Sequence, residues 1–482
     1  MASRDPERPN VLFLLTDDQG AWAMGCAGNA EIRSPNLDRL AREGIRFDSF
    51  FCTSPVCSPA RASLLTGRIP SQHGVHDFLH WQSRTGSGGL DRPVPADGVH
   101  FLAGMTTYAE VLSDLGYDTC LSGKWHLGDG LTPRCGFETW NPMPYGATNY
   151  YQVPVVEDGR VAVHEGVHAS DLFTDNALAF LAAHADADRP FCLDVHYTAP
   201  HAPWGREHHP AELWDDYHGN CPLESVPGPD EPRPLGYQAP RVDAERRREN
   251  LAGYFAAIED MDRNVGRLLD WLEARDLRSN TLVLFISDNG MNMGHHGLYG
   301  KGNATWPQNM FDTSVKVPCL VSRPGHVPAG RVHDELLSQY DWLPTLLDYA
   351  GAADRVPAGL PGRSFAPLLR DRPIGERGSV YVFDEYGPVR MIRSREWKLV
   401  WRFPGGPHEL YHVAEDPEER RNLFSRRGHR DRIRALRREL FDWYASYVDP
   451  DLDGTRLPVT GRGQRDLATA EDAFAYRLPW LE

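Results

Sequence analysis

The chain has 482 residues, 41% of them hydrophobic and 24% charged, which is the composition of a soluble globular protein with a large core and excludes a fibre or a disordered chain. A formal net charge of −16, from 51 Lys+Arg against 67 Asp+Glu, excludes general nucleic-acid binding, which needs a basic surface to displace counterions. No stretch approaches the ~20 apolar residues of a membrane span. The segment Met1 to Asn10 has no apolar signal-peptide core, and the eight cysteines are scattered, so a reduced, cytoplasmic protein is expected, although a trimmed leader would leave the same sequence.

The first element is a strand, Val11 to Leu15, apolar throughout and therefore buried on both faces of a parallel sheet. It ends in Asp17-Asp18. A helix follows, with Ser34 as N-cap, Pro35 at its first position and Gly44 after its end. A second, short helix begins near Cys57, in Cys57-Ser58-Pro59-Ala60-Arg61, and ends at Gly67. Segment 81–100, rich in Gly, Ser and Pro, reads as a surface loop. Helices are expected at 106–115, 170–184, 245–275 and 341–350, with strands at 117–121, 191–197, 281–287 and 317–322 between them. This alternation predicts an α/β fold with a large, mostly parallel sheet flanked by helices. From about 378 the pattern changes to short strands at 380–383, 389–392, 398–403 and 409–412, then an Arg-rich helix at 428–446. The expected division is a catalytic α/β domain over 1–375 and a smaller α+β domain with an antiparallel sheet over 376–482. Residues 450–482 read as an irregular arm wrapping the body.

Polar groups follow four strands: Asp17 and Asp18; Lys124 and His126; His201; Asp288 and Asn289. In an open parallel sheet the crevice beyond the carboxyl ends of the strands is where ligands bind, so these clusters converge on one site. Three carboxylates and an amide suit a hard cation, Ca²⁺ or Mg²⁺, better than Zn²⁺. A single Asp-Asp pair is equally a turn or a helix cap; two acidic pairs at two strand ends point to a metal. Cys57, at a helix N-terminus, lies where an anion is welcome, although taken alone it reads equally as a buried structural cysteine.

Cys57-x-Pro59-x-Arg61, followed by Ala62-Ser63-Leu64-Leu65-Thr66-Gly67, resembles the signature of type I, formylglycine-dependent sulfatases of the alkaline-phosphatase-like superfamily. The resemblance extends to Asp17-Asp18, Gly123-Lys124-Trp125-His126, Pro200-His201, Ser287-Asp288-Asn289-Gly290, Lys301 and the tail Glu409-Leu410-Tyr411. It implies a sulfuric ester hydrolase acting on a sulfate monoester of a carbohydrate or a small aryl or alkyl alcohol. A maturation enzyme would convert Cys57 to formylglycine, whose hydrate attacks sulfur and forms a covalent sulfo-enzyme. Asp17, Asp18, Asp288, Asn289 and residue 57 would hold Ca²⁺, with Mg²⁺ as the alternative. Arg61 would orient the hydrate, Lys124 and Lys301 would neutralise the sulfate oxygens, His201 would protonate the leaving oxygen and His126 would deprotonate the remaining hydroxyl. The conversion also suits the chemistry, because a soft thiolate is a poor partner for a hard cation among oxygen ligands.

A phosphonate monoester or phosphodiester hydrolase on the same scaffold is the alternative; Asn289 favours the sulfatase, since those diesterases tend to carry histidine there. A non-catalytic anion-binding protein would require an unmodified Cys57. His295 and His296 stand between a structural role and one near the metal, while His73, His76, Trp81, Arg84, Tyr150, Trp204, Arg390 and Arg393 are weaker candidates for substrate recognition. The partners implied are a sulfated small molecule or saccharide and a second copy in a homo-oligomer, with neither nucleic acid nor membrane.

Overall fold

A computed structural model describes residues 8–80, 98–184, 187–384, 388–459, 461 and 463–474. Trp81, Arg84, most of the expected 81–100 loop and the end of the expected arm lie outside the described residues. The main sheet has eight strands: β1 (Asn10–Thr16), β2 (Gly44–Phe47), β3 (Asp118–Lys124), β4 (Thr139–Met143), β5 (Phe191–His196), β6 (Thr281–Ser287), β7 (Cys319–Ser322) and β8 (Arg331–His333). Their spatial order is β8-β2-β7-β6-β1-β5-β3-β4. Leu12 of β1 sits beside Leu193 of β5 and Val283 of β6. Neighbours are parallel except around β7, which runs against both β6 and β2.

The uniform apolar strands follow from burial on two faces. Val11, Phe13 and Leu15 enter one core, and Leu12 and Leu14 enter the other. One face is covered by α1 (Pro35–Arg42), α4 (Ala169–His184) and α5 (Ala244–Glu273). The opposite face is covered by α2 (Cys57–Thr66), α3 (Tyr108–Asp114) and α6 (Trp342–Tyr349).

The tail forms a four-stranded antiparallel sheet of β9 (Ser379–Asp384), β10 (Val389–Ser394), β11 (Trp397–Arg402) and β12 (Glu409–His412). Its side chains alternate. Tyr381, Phe383 and Ile392 meet Leu436, Leu440 and Tyr444 of α7 (Arg430–Tyr447), whereas Val380, Val382 and Met391 join the core of the main sheet. Lys398 anchors the small sheet to the body through Asp312 at 2.8 Å and Glu419 at 2.5 Å.

Ser34 and Gly44 stand where expected, Ser34 at the N-cap of α1 and Gly44 beyond its end, where it opens β2; the Ser34 hydroxyl, however, accepts from the Gly25 N–H at 2.9 Å and makes no cap bond. Two local expectations change. β3 extends through Lys124, so that lysine is the last residue of its strand and does not follow it. β7 is shorter than expected and antiparallel to its neighbours.

Candidate active site

The four expected strand ends converge. Asp17, Asp18, Cys57 and His201 offer donor atoms that all lie within 4.8 Å of one another. The Cys57 Sγ lies 3.4 Å from Asp17 Oδ1, and Lys301 Nζ approaches it to 2.7 Å while reaching Asp18 Oδ1 at 2.5 Å. Lys124 Nζ pairs with Asp17 Oδ2 in full burial. His201 Nε2 lies 3.7 Å from Asp18 Oδ2, and its Nδ1 lies 2.6 Å from the Ala202 carbonyl. With the Nδ1 hydrogen on that carbonyl, Nε2 is the nitrogen free to exchange a proton.

Asp288 and Asn289 close the acidic side. Asp288 Oδ1 accepts from the backbone N–H of Asp18 at 3.2 Å and of Asn289 at 2.8 Å. Asn289 Nδ2 donates to Asp18 Oδ1 and to the Gly290 carbonyl, at 2.8 and 2.9 Å. These two acceptors fix the amide orientation, and they leave Asn289 Oδ1 buried with no partner among the described residues. An orphaned buried oxygen beside three carboxylates fits a hard cation that takes oxygen ligands.

The charge states agree with such a site. Burial alone would raise the Asp17 carboxyl, but Lys124, His201, Lys301 and Arg61 hold it well below the usual carboxylate range. Burial, then the Asp17 charge, pushes Asp288 up to about 7. Burial opposes the Lys301 ammonium, yet Asp18, with Asp17 and Asp288, outweighs it and holds its pKa well above the ordinary value. Burial and Asp17 push the Cys57 thiol up to about 12, so the sulfur is a neutral thiol. For His126, burial and then Lys124 and Arg61 hold the ring well below its ordinary value, and it is neutral.

Arg61 has partners that its motif does not announce. Its guanidinium reaches Asp288 Oδ2 and the Lys124 carbonyl, each at 3.0 Å. In this arrangement it ties the acidic loop after β6 to the end of β3. Gln339 makes a second tie: its Nε2 donates to the Ser287 and Asp288 carbonyls at 3.0 and 2.7 Å, and its Oε1 accepts from Thr53 N–H at 2.9 Å.

Backbone strain marks two of these residues: Asp18 (φ 64°) and His126 (φ 54°) both occupy the left-handed region. Tyr254 of α5 holds the first in place, its hydroxyl donating to the Asp18 carbonyl at 2.9 Å and accepting from Gly20 N–H at 3.1 Å. Tyr254→Phe is therefore expected to weaken divalent-cation binding by about tenfold, the effect typical of removing a group that orients metal ligands. Calorimetric titration with Ca²⁺ measures it, and unchanged affinity would remove Tyr254 from the account.

Cys57, His126, His201 and Lys301 line a cavity of about 280 Å³ whose outer wall includes Phe78, Leu79, His80, Gly146, Ala147 and Asn303. None of these wall residues stands in a motif. Gly146 has the clearest steric reason: a Cβ there would lie 2.5 Å from the His126 ring. Gly146→Ala should lower kcat by at least about tenfold, since a displacement near 1 Å can cost about a hundredfold. An unchanged circular dichroism spectrum would separate this loss from unfolding.

The weaker candidates among the described residues do not line the cavity. His73 is bonded to Ser63 Oγ and Val75 N–H, each at 3.1 Å. His296 stacks on Phe311 with ring centroids 3.8 Å apart, and His295 packs against Trp22. Arg390 pairs with Asp453 at 2.7 Å and Arg393 with Asp312 at 3.4 Å. Tyr150 and Trp204 support the loop that carries His201: Tyr150 donates to the His201 carbonyl at 2.7 Å and Trp204 to that of Pro200 at 2.9 Å. His76 belongs to the loop that forms one wall of the cavity, and its N–H is bonded to Gln464.

Carboxylates, an amide, two lysines and two histidines gathered around residue 57, at the carboxyl ends of a doubly covered sheet, define a hydrolase for an anionic ester. The sulfatase family model matches residues 9–352, and the model of the N-sulphoglucosamine sulphohydrolase C-terminal region matches 294–445. The chain belongs to the sulfatase family. It is 27% identical to the N-acetylglucosamine-6-O-sulfatase of Bacteroides thetaiotaomicron, over 96% of this chain and 91% of that one. A solved structure of a protein in complex with its substrate D-glucosamine-2-N,6-O-disulfate superposes with a TM-score of 0.72 at 26% identity, covering 92% of this chain and 99% of that one. The phosphonate monoester hydrolase of Agrobacterium radiobacter shares the fold, with a TM-score of 0.67 at 22% identity over 92% of this chain and 96% of that one.

Proposed function

We propose that the enzyme hydrolyses a sulfate monoester of a carbohydrate, with residue 57 acting as an oxygen nucleophile after conversion to formylglycine. The observation that carries this is the position of Cys57. It opens α2, in contact with Lys301 and Asp17, at the floor of a cavity large enough for a monosaccharide.

Asp17, Asp18, Asp288 and Asn289 would hold Ca²⁺, with Mg²⁺ as the alternative. The ion would supply charge neutralisation at sulfate oxygens and at residue 57. The hydrated aldehyde would supply one hydroxyl to attack sulfur and a second whose deprotonation lets sulfate depart. Around it the side chains divide the remaining work. Lys124 and Lys301 bind the sulfate oxygens and stabilise charge that grows in the transition state. His201 delivers a proton from Nε2 to the leaving alcohol oxygen as the S–O bond breaks. His126, neutral, takes the proton of the second hydroxyl. Arg61 holds Asp288 and the Lys124 backbone in place. A catalytic unit over 1–375 and a smaller unit over 376–482 are part of the same proposal.

The sugar assignment is supported by the named relatives, the N-acetylglucosamine-6-O-sulfatase and the disulfated glucosamine complex. Parallel kinetics with para-nitrophenyl sulfate and para-nitrophenyl phenylphosphonate test the reaction class. A higher kcat/KM for the sulfate is expected, and a clear preference for the phosphonate would contradict it.

A further inference from the structure

The chain beyond α7 lies outside both matched family regions, which end at 445, yet it returns to the wall of the cavity. Among its described residues Val459, Ala468, Ala473 and Phe474 form a small apolar cluster with Leu452. Gln464, fully buried, makes the contact that matters for the site. Its backbone pairs with the loop 74–80: its N–H donates to the Phe78 carbonyl, and its carbonyl accepts from His80 N–H, both at 2.9 Å. Its side chain grips the same loop. Oε1 accepts from His76 N–H at 2.8 Å, while Nε2 donates to the Gly74 carbonyl at 2.8 Å and to that of Asp466 at 2.9 Å. Gly463 adds a bond from its N–H to Asp77 Oδ2 at 2.8 Å and lies flat on His80. A Cβ at 463 would stand 2.0 Å from that ring.

The other side of this loop touches the catalytic groups. Leu79 N–H donates to Ser58 Oγ at 3.1 Å, next to the nucleophile. The Leu79 carbonyl lies 3.0 Å from His126 Nε2. With the Nε2 hydrogen on that carbonyl, a neutral His126 presents Nδ1 as an open lone pair, and Nδ1 is buried without a partner among the described residues. The tautomer that makes His126 a base is therefore set by one carbonyl, and Gln464 holds the loop that carries this carbonyl.

We propose, on the reading of His126 as the base, that Gln464 is a positioning residue for His126 and His80, and that the C-terminal arm braces the active-site wall from behind. Gln464→Met keeps the side-chain volume and removes the amide bonds. In the full-length, matured enzyme acting on para-nitrophenyl sulfate, kcat should fall by about tenfold to a hundredfold, the scale of a displacement near 1 Å. A burst of one nitrophenol per site should remain, because release of sulfate, and not of the alcohol, is the step that slows. Hydrogen exchange in residues 74–80 should accelerate while that of β9 to β12 stays unchanged. In a His126→Ala background the Gln464→Met change should add nothing further to the loss.

Wild-type kcat in Gln464→Met, or a loss fully additive with His126→Ala, would overturn the proposal. Should Gln464→Met fail to fold, Gly463→Ala displaces the same loop through His80 and carries the same expectations. A wild-type enzyme that releases no sulfate would overturn the functional reading alone, because the exchange of residues 74–80 reports the hold of the arm on the loop without any turnover.

Discussion

Cys57→Ala protein is expected to lose turnover of an aryl sulfate by at least about 10⁴-fold while keeping its fold, the scale seen when a covalent nucleophile is removed. The position itself argues for a loss this large. Residue 57 opens α2, is 3% exposed, and has a lysine ammonium and a carboxylate within 3.4 Å. Left as cysteine, it would be a neutral thiol, a weak nucleophile and a soft ligand among hard oxygens. Truncation to alanine removes one atom from the core, a cost of about 1 kcal/mol in stability. Activity should collapse while the melting temperature barely moves. Equal losses of both would mean that the side chain is structural.

Asp17→Asn should produce the second large effect, on stability and on the response to Ca²⁺ together. Asp17 and Lys124 form an ion pair with both side chains fully buried, and removing one charge strands the other at a cost of about 3–5 kcal/mol. The same change takes a carboxylate from the cation site. In the wild type, Ca²⁺ at about a hundred times its dissociation constant should add about 2.7 kcal/mol of stability, because it binds only the folded state. In Asp17→Asn that increment should shrink or vanish. Thermal denaturation with Ca²⁺ and with a chelator measures both effects, and an undiminished Ca²⁺ shift in the variant would exclude Asp17 as a ligand.

Much of this site was legible in the sequence because its residues sit where the backbone sends them. An apolar strand ending in Asp17-Asp18, and another ending in Asp288-Asn289, must deliver those side chains to one edge of a parallel sheet. Their register across β1 and β6, with Thr16 beside Ser287, brings them together. The helix at Cys57 was legible from Pro59 and Gly67, and its C-cap glycine does take a left-handed conformation.

What was not legible depends on distance along the chain. The four buried residues of β7, Cys319 to Ser322, carry no sign of direction, so its antiparallel run could not be read. The reach of Arg61 to Asp288 spans 227 positions and that of Gln339 to Thr53 spans 286. Gly146 is an unremarked glycine until the His126 ring is placed against it. Gln464 sits in a stretch with no periodicity, and its role exists only because the arm folds back to residues 74–80, 390 positions earlier at Gly74. Motifs report groups that must touch substrate; the groups that hold them still have no local signature.

The most direct test is the mass of the peptide spanning residues 46–68, taken from protein that turns over an aryl sulfate. An aldehyde or its hydrate is expected at position 57 in the active fraction. An unmodified Cys57 thiol in fully active enzyme would contradict it.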